Sequence, residues 1–204
     1  MAKFFAVVPA AGRSVRMKQP KLLLPWNGRT VMDQILSVWT SSCIEHVAVV
    51  VRRDDAKLQA VVQKWPVHVV CPETDPADMK ASVLAGLQFL ANRFAPGERD
   101  GCLIAPADLP RMNLSVIQRI AAAHDGQRVV VPCFGERSGH PVLLPWWKTN
   151  ELARLSESEG INRLLDSGDP VHLSFAADEY FSDIDTPADY NAALDAFDES
   201  DRRK

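Results

Sequence analysis

Several features that would assign this 204-residue chain to a broad functional class are missing from it. Its four cysteines lie far apart and form no C-x-x-C spacing, which weakens metal-binding and redox interpretations and favours buried free thiols. The formal net charge of -3 argues against a nucleic-acid-binding protein that relies on a basic surface. No apolar run approaches the roughly 18 residues of a membrane span, and no secretory signal pattern precedes Arg13. We therefore expect a cytoplasmic protein that binds neither nucleic acid nor membranes.

Two common phosphate-binding patterns are also absent. A Walker loop requires a second glycine five positions after the first, but Met17 stands five positions after Gly12. The dinucleotide pattern G-x-G-x-x-G fails as well, since Ser14 and Met17 occupy its second and third glycine positions. If the chain binds a nucleotide, it uses another kind of loop.

The N-terminal region nevertheless combines an apolar strand with a basic loop of small residues. Phe4–Val8 reads as a buried strand, and Pro9–Gly12 ends it. No acidic residue precedes Asp33, whereas the loop carries four cations: Arg13, Arg16, Lys18 and Lys21. Small residues let backbone N–H groups approach an anion, and the cations favour a polyphosphate ligand. The alternative is an ordinary strand-to-helix turn whose cations are only solvated.

The hydrophobic pattern predicts alternating strands and helices. The apolar runs that predict strands are Phe4–Val8, Val47–Val51, Val67–Cys71, Cys102–Ala105, Val129–Cys133, Val142–Leu144 and Val171–Phe175. The helical patterns are Val31–Ser41, Ala56–Lys64, Met79–Asn92, Leu114–His124, Trp146–Leu155 and a last helix from Pro187 to about Phe197. Such alternation predicts an α/β fold with a mostly parallel, doubly wound, Rossmann-like sheet in a three-layer α/β/α arrangement. The composition, 47% hydrophobic and 24% charged, fits a single domain.

Two acidic motifs are expected at the edge of the sheet that carries Gly12. Asp108 directly follows a predicted buried strand, and Asp185 ends a short strand just before the last helix. Ligands of such sheets bind at the carboxyl ends of the strands, and carboxylates are suitable ligands for Mg²⁺. The alternatives are that Asp108 bonds its own turn and that Asp185 and Asp189 serve the start of the helix.

Taken together, these motifs resemble those of the molybdenum cofactor nucleotidyltransferases. The basic loop matches A-A-G-x-[SG]-x-R-M…K-L-L-x-x-W, although Lys18 stands where the family usually has Gly. Pro106–Pro110 contains the A-D-x-P signature, and Asp183–Asp189 reads D-I-D-T-P-A-D. These signatures lie near the start, middle and end of the chain, so the resemblance covers nearly all of it.

The resemblance implies a Mg²⁺-dependent transfer of NMP from an NTP to a phosphorylated acceptor, with release of pyrophosphate. It implies Asp108 and Asp185 as metal ligands, and Arg16, Lys21 and Asp108 as catalytic residues. The nucleotide-binding residues it implies are Ala10, Ala11, Gly12, Arg13, Ser14, Arg16, Lys21 and Ser82. Pro9–Gly12 and Pro106–Asp108 lean towards the cytidylyl members of the family, although Pro9 departs from their usual Thr.

The acceptor region is less clear. Gly135–Pro141 resembles a G-x-R-x-G-H-P segment, which implies His140 as an acceptor-binding residue; an ordinary structural turn is the alternative. Near Ser82, Asp78 replaces a usual Gly and can cap the helix instead. Asn162 stands where the family often has Arg, and Arg163 lies one place along, so the acceptor can differ from molybdopterin.

We accordingly expect one nucleotidyltransferase domain over residues 1–197, with an acceptor-binding part at about 134–178 and a charged tail at 198–204. The expected partners are CTP, in preference to GTP, a phosphorylated small molecule such as molybdopterin, and a molybdoenzyme or its chaperone. The alternatives are a sugar- or polyol-phosphate nucleotidyltransferase and a nucleotide-binding module without catalytic activity.

Overall fold

A computed structural model describes residues 2–156, 163, 169–176 and 182–201. Its main sheet contains eight strands: β1 (Phe4–Pro9), β4 (His46–Val50), β5 (His68–Val70), β6 (Gly101–Ile104), β7 (Val130–Phe134), β8 (Arg137–Ser138), β9 (Val142–Pro145) and β10 (Val171–Ser174). A separate two-stranded ribbon pairs β2 (Pro25–Trp26) with β3 (Arg29–Thr30). The helices are α1 (Val31–Thr40), α2 (Ala56–Val62), α3 (Met79–Phe94), α4 (Leu114–Ala122), α5 (Trp146–Leu152) and α6 (Pro187–Asp201). A single 3₁₀ turn spans Lys21–Leu23.

The strand order in the main sheet is β10-β7-β9-β6-β1-β4-β5, with β8 added to β7. β1 lies between β4 and β6 and runs parallel to both, and β5 continues the parallel part. β9 runs antiparallel to β6 and β7. The carboxyl ends of β1, β4, β5 and β6 therefore meet at one edge, as the sequence predicts for a doubly wound sheet.

Successive residues of β1 belong to two separate cores on opposite faces of the sheet. Ala6 and Val8 join a core with α1, α2, α4 and α6, whereas Phe5 and Val7 join one with α3 and α5. This alternation explains why strands covered on both faces read as continuous apolar runs. At Gly86 a Cβ atom would lie 2.5 Å from Cγ1 of Val7, so the glycine allows α3 to approach β1 closely.

The predicted three-layer α/β fold is confirmed, and element boundaries shift by a few residues at most. The sequence patterns missed the β2–β3 ribbon and β8, because strands of two residues have no periodicity to detect. α6 extends to Asp201, past the predicted end at Phe197. None of the helices in the described part of the chain combines the length and apolar character that crossing a membrane requires.

The expectation that the cysteines are buried free thiols is confirmed in part. All four cysteines are free, but Cys43 is exposed, whereas Cys102 and Cys133 are buried. Trp146 is buried and packs against Phe5, with ring centroids 5.5 Å apart. Trp147, the next residue of α5, is 38% exposed.

Candidate active site

The loop after β1 and the turn after β6 are joined by the backbone. The amide of Ala10 donates to the carbonyl of Val50 at 2.8 Å, and that of Ala107 donates to the carbonyl of Pro9 at 3.2 Å. The amide of Ile184 donates to the carbonyl of Asp108 at 3.0 Å, which brings the second acidic motif to the same edge. Segments more than 170 residues apart in the chain, Ala10 and Ile184, thus meet at the carboxyl end of the parallel strands.

A cavity of about 450 Å³ opens at this edge. It is lined by every predicted site residue except His140: Ala10, Ala11, Gly12, Arg13, Ser14, Arg16, Lys21, Ser82, Asp108 and Asp185. Residues from the loop between β5 and α3, including Asp75 and Asp78, line another side of it. The volume lies within the range of small-molecule sites in enzymes.

Lys21 joins the two remote carboxylates. Its Nζ atom lies 2.6 Å from Oδ2 of Asp108 and 2.9 Å from Oδ1 of Asp185. Burial lowers the pKa of Lys21, but the charges and hydrogen bonds of Asp108 and Asp185 outweigh that effect and raise the pKa above its ordinary value. The ammonium group therefore stays charged at neutral pH.

Arg16 completes this ionic cluster from the exposed side. Its guanidinium lies 2.6 Å from Oδ2 of Asp185. Burial favours the neutral form of Asp185, yet the Lys21 hydrogen bond and charge, together with the Arg16 charge, hold the pKa of that carboxyl below its ordinary value. The two cations that the family resemblance implies for phosphate binding are thus held beside the acids.

Asp183 belongs to the same cluster, although the sequence-based ligand set contained only Asp108 and Asp185. One carboxylate oxygen from each of the three residues lies within 4.8 Å of the others. Burial and the negative charges of Asp185 and Asp108 raise the pKa of Asp183. The D-I-D motif could have predicted this third carboxylate, since alternate residues of an extended segment point to the same face.

The three carboxylates fit a hard divalent cation. Oδ1 of Asp108 is buried and has no hydrogen-bond partner, and a buried carboxylate oxygen is costly to leave without one. With Asp183 and Asp185 it offers an all-oxygen donor set, which is the chemistry that Mg²⁺ and similar cations prefer.

Gly12 leaves room at the cavity wall. A Cβ atom built on Gly12 would meet no atom within 4 Å, and its φ lies outside the left-handed region. Neither packing nor backbone conformation therefore demands glycine at this position. The open space suits the close approach of a ligand to the backbone.

Two other loop residues adopt the left-handed conformation that glycine normally provides. Ser14 has φ of 51° and Lys18 has φ of 58°. The hydroxyl of Ser14 accepts a hydrogen bond from the amide of Lys21 at 3.3 Å. Lys18, at the position of the family's usual Gly, thus adopts a conformation that is strained for an L-residue but open to glycine.

The residues at the start of α3 have structural partners. Asp78 caps the helix, accepting a hydrogen bond from the amide of Ala81 at 2.7 Å. Ser82 is 4% exposed, and its hydroxyl donates to the carbonyl of Asp78 at 3.1 Å. Ser82 therefore lines the cavity while its hydroxyl is bonded within the helix.

His140 lies near Asp108 and Asp183 but is not among the residues that line the cavity. Burial lowers its pKa, while a hydrogen bond to the backbone of Ile104 and the charges of Asp108 and Asp183 act in the opposite direction. Its Nδ1 atom is buried without a hydrogen-bond partner. In the predicted acceptor region, Asn162 lies outside the described residues, and Arg163 is exposed.

Residues 6–171 match the family described as the MobA-like NTP transferase domain. The chain belongs to this family. It is therefore a nucleotidyltransferase, as the three sequence signatures predicted. The match covers the basic loop, the turn after β6 and most of the sheet.

Individual relatives align with nearly the whole chain. The molybdenum cofactor cytidylyltransferase of Escherichia coli K12 is 22% identical over 200 residues, covering 98% of this chain and all of that protein. A nucleotidyl transferase from Methanothermobacter thermautotrophicus superposes with a TM-score of 0.83 and 24% identity, covering 97% of this chain and 99% of the other. A Mycobacterium tuberculosis H37Rv protein crystallised with manganese gives a TM-score of 0.73 and 24% identity, with coverages of 96% and 100%. At these identities the two structures show the shared fold.

Proposed function

We propose that this nucleotidyltransferase transfers CMP from CTP to a phosphorylated acceptor of the molybdopterin type and releases pyrophosphate, with Mg²⁺ as its metal. The observation that carries the proposal is the meeting of Lys21, Asp108 and Asp185 at the cavity that Gly12 lines. A triphosphate with its metal needs cations, open backbone amides and carboxylates at one place, and this edge of the sheet offers all of them.

The protein's part in the reaction is positioning and charge neutralisation. The acceptor phosphate is already an anionic nucleophile, so an in-line attack on the α-phosphorus needs no covalent enzyme intermediate. The backbone N–H groups between Ala11 and Ser14 would hold the triphosphate. Arg16 and Lys21 would offset the charge that develops on the departing pyrophosphate.

Asp108, Asp183 and Asp185 would hold the metal. Bound there, Mg²⁺ would neutralise charge shared by the α-phosphate and the attacking phosphate oxygen. The unpartnered Oδ1 of Asp108 supports this assignment. The manganese in the Mycobacterium tuberculosis structure supports a divalent ion at a related fold.

The cytidylyl preference and the acceptor rest on the resemblance to the Escherichia coli cytidylyltransferase and on the Pro9–Gly12 and Pro106–Asp108 signatures. The predicted acceptor-binding part, residues 134–178, and the role of His140 belong to the same proposal. Sugar- and polyol-phosphate acceptors would use the same phosphate chemistry, because only the surface that holds the acceptor differs.

The test is pyrophosphate release from CTP and GTP, measured with Mg²⁺ against molybdopterin, sugar 1-phosphates and polyol phosphates. We expect release that requires both CTP and molybdopterin. Release with another phosphorylated acceptor would replace the molybdopterin assignment, and faster release from GTP would reverse the base preference. Calorimetry that shows nucleotide binding without turnover on any acceptor would favour a non-catalytic binding module.

A further inference from the structure

Arg52 contacts the backbone of the loop that follows β1. It lies just beyond the end of β4, and its side chain is 13% exposed. One guanidinium nitrogen, Nη1, donates to the carbonyl oxygens of both Ala11 and Gly12, each at 3.0 Å. These are the residues whose backbone the proposed function assigns to the triphosphate. The family resemblance implied no role for Arg52.

Acidic residues hold the Arg52 guanidinium in place. Its Nε atom donates to Asp54 at 2.9 Å, and its Nη2 atom lies 3.5 Å from a carboxylate oxygen of Asp55. Asp55 is itself fixed, since its other oxygen accepts the amide of Leu58 as the N-cap of α2. The rigid fork of an arginine can satisfy carboxylates on one side and carbonyls on another without losing its orientation.

The direction of the two carbonyls determines the direction of two amides. Within the described residues the only cis peptide bond is His140–Pro141, so the peptide units after Ala11 and Gly12 are trans and planar. In a trans peptide the N–H points opposite to the C=O. Because both carbonyls point to Arg52, the N–H groups of Gly12 and Arg13 point away from it. Gly12 and Arg13 line the cavity, and Arg52 lines it as well.

A neighbouring cation shares the same acids. The guanidinium of Arg13 lies 2.7 Å from Asp75 and 3.7 Å from Asp54, while Nε of Arg52 lies 3.9 Å from the same oxygen of Asp75. Asp54 and Asp75 thus bridge Arg13, which is exposed, and Arg52, which is partly buried. The loop is tied to β4 and to the segment after β5 by side chains as well as by its own backbone.

We infer that Arg52 is a positioning residue that holds the Gly12 and Arg13 amides ready for the triphosphate. The inference rests on the proposed function and adds to it a residue that acts on the nucleotide through the loop backbone. Preorganised donors cost no rearrangement when charge develops, whereas donors that must first be turned lose much of their value. A displacement of about 1 Å at a reacting group can cost on the order of 10²-fold in rate.

The experiment compares Arg52→Gln and Arg52→Lys with Arg53→Gln. Arg53 is the adjacent exposed arginine, so its replacement makes the same change in charge without removing a hydrogen bond to the loop. The first measurement is hydrogen exchange of the segment 10–14 without nucleotide. The second is calorimetric binding of CTP with Mg²⁺, and the third is kcat and KM for CTP, corrected for the folded fraction.

We expect Arg52→Gln to speed exchange of the segment 10–14, to weaken CTP binding about tenfold and to lower kcat/KM by about 10²-fold, with part of the loss in kcat. Arg52→Lys keeps the positive charge but loses the guanidinium fork. We expect this variant to fold, with exchange, CTP binding and kcat/KM between those of the wild type and Arg52→Gln. If Arg52 only stabilised the fold, the folded fraction of each variant would match the wild type in exchange, CTP binding and kcat/KM.

Exchange and CTP binding in both Arg52 variants that match those of Arg53→Gln would overturn the inference while leaving the proposed function intact. A wild-type chain that binds neither CTP nor GTP would overturn both. These two failures are distinguishable, because the first is a comparison between variants and the second concerns the wild type alone.

Discussion

The loop after β1 and the beginning of α1 are close in sequence, yet their polar groups find partners in opposite ways. At α1, Thr30 and Asp33 form a capping box in which each side chain accepts the other's backbone amide at 3.1 Å. In the loop, Arg16 and Lys21 reach acids that lie 87 to 169 residues further along the chain, at Asp108 and Asp185. The polar groups at the start of α1 find their partners within the helix terminus itself, whereas those of the loop find them in distant parts of the fold.

This difference in partners separates carboxylates that stabilise the fold from carboxylates that remain available to bind a metal ion. Both oxygens of Asp33 are used, since Nε1 of Trp65 donates to the second at 2.9 Å. Asp108 instead keeps one buried oxygen without a partner and lies beside two other acids. We therefore expect replacement of Asp33 to cost stability, and replacement of the cluster residues to cost activity. The following variants test that division.

The largest effect is expected from Asp108→Asn. This variant removes a ligand from the proposed metal site, and a metal ion supplies several kcal/mol of transition-state stabilisation. Turnover should fall by about 10³-fold or more in a pyrophosphate-release assay. Stability should change by less than about 1 kcal/mol, because the weakened contact with Lys21 is offset by less repulsion from Asp183 and Asp185.

The measurement pairs the activity assay with denaturant unfolding and with titration of Mn²⁺ followed by electron paramagnetic resonance. Weaker Mn²⁺ binding together with an unchanged unfolding midpoint is the expected pattern. Normal turnover with Mg²⁺ in Asp108→Asn would remove this residue from the metal site.

Lys21→Ala should lower turnover by about 10²–10³-fold, the usual cost of losing one positioned donor at a developing charge. The matched control is Lys18→Asn, which removes a nearby exposed cation and keeps a residue type that tolerates the left-handed conformation. Near-normal turnover of Lys21→Ala, or an equal loss in Lys18→Asn, would mean that general positive charge matters rather than the Lys21 ammonium.

The fold, and most of the residues that meet at the candidate site, could be predicted because the signals were local. Continuous apolar runs marked the strands, and the position of Asp108 directly after one of them placed it at the ligand-binding edge. Lys21 and Asp185 were predicted because they belong to motifs that resemble those of a known family. The structure adds that these side chains bind one another, which no spacing in the sequence states.

Arg52 and Asp183 were missed for different reasons. Asp183 was visible in its motif and needed only the rule that alternate residues share a face of an extended segment. Nothing in the sequence distinguishes Arg52 from Arg53, because the contact with Ala11 and Gly12 depends on the packing of β4 beside β1. A side chain that orients a distant backbone leaves no local pattern.

Asp33→Asn should destabilise the protein by about 1–2 kcal/mol and leave turnover within about twofold, since it weakens a helix cap and a hydrogen bond to a charged group. Burial favours the neutral acid, but hydrogen bonds from Thr30 and Trp65 hold the pKa of Asp33 below its ordinary value. A lowered pKa contributes stability above the ordinary carboxyl value, and that contribution is lost as the pH falls through the folded-state value.

The check is the difference in unfolding free energy between wild type and Asp33→Asn as a function of pH. It should be constant between about pH 7 and pH 5 and should shrink below about pH 4. A difference that grows on acidification would contradict the role of the ionised Asp33 carboxylate in the cap.

The smallest effect is expected from Lys18→Gly, which should raise stability by about 0.5–1 kcal/mol. Lys18 has φ of 58°, where an L-residue costs about 1–2 kcal/mol and glycine does not, and the greater freedom of glycine in the unfolded chain cancels part of the gain. Lys18→Ala, which keeps the strain, is the control and should not be stabilised. Because Lys18 does not line the cavity, turnover of Lys18→Gly should be unchanged. A less stable glycine variant would mean that the lysine side chain holds the loop in this conformation. The loop would then resemble the start of α1, which is stabilised by contacts among its own residues.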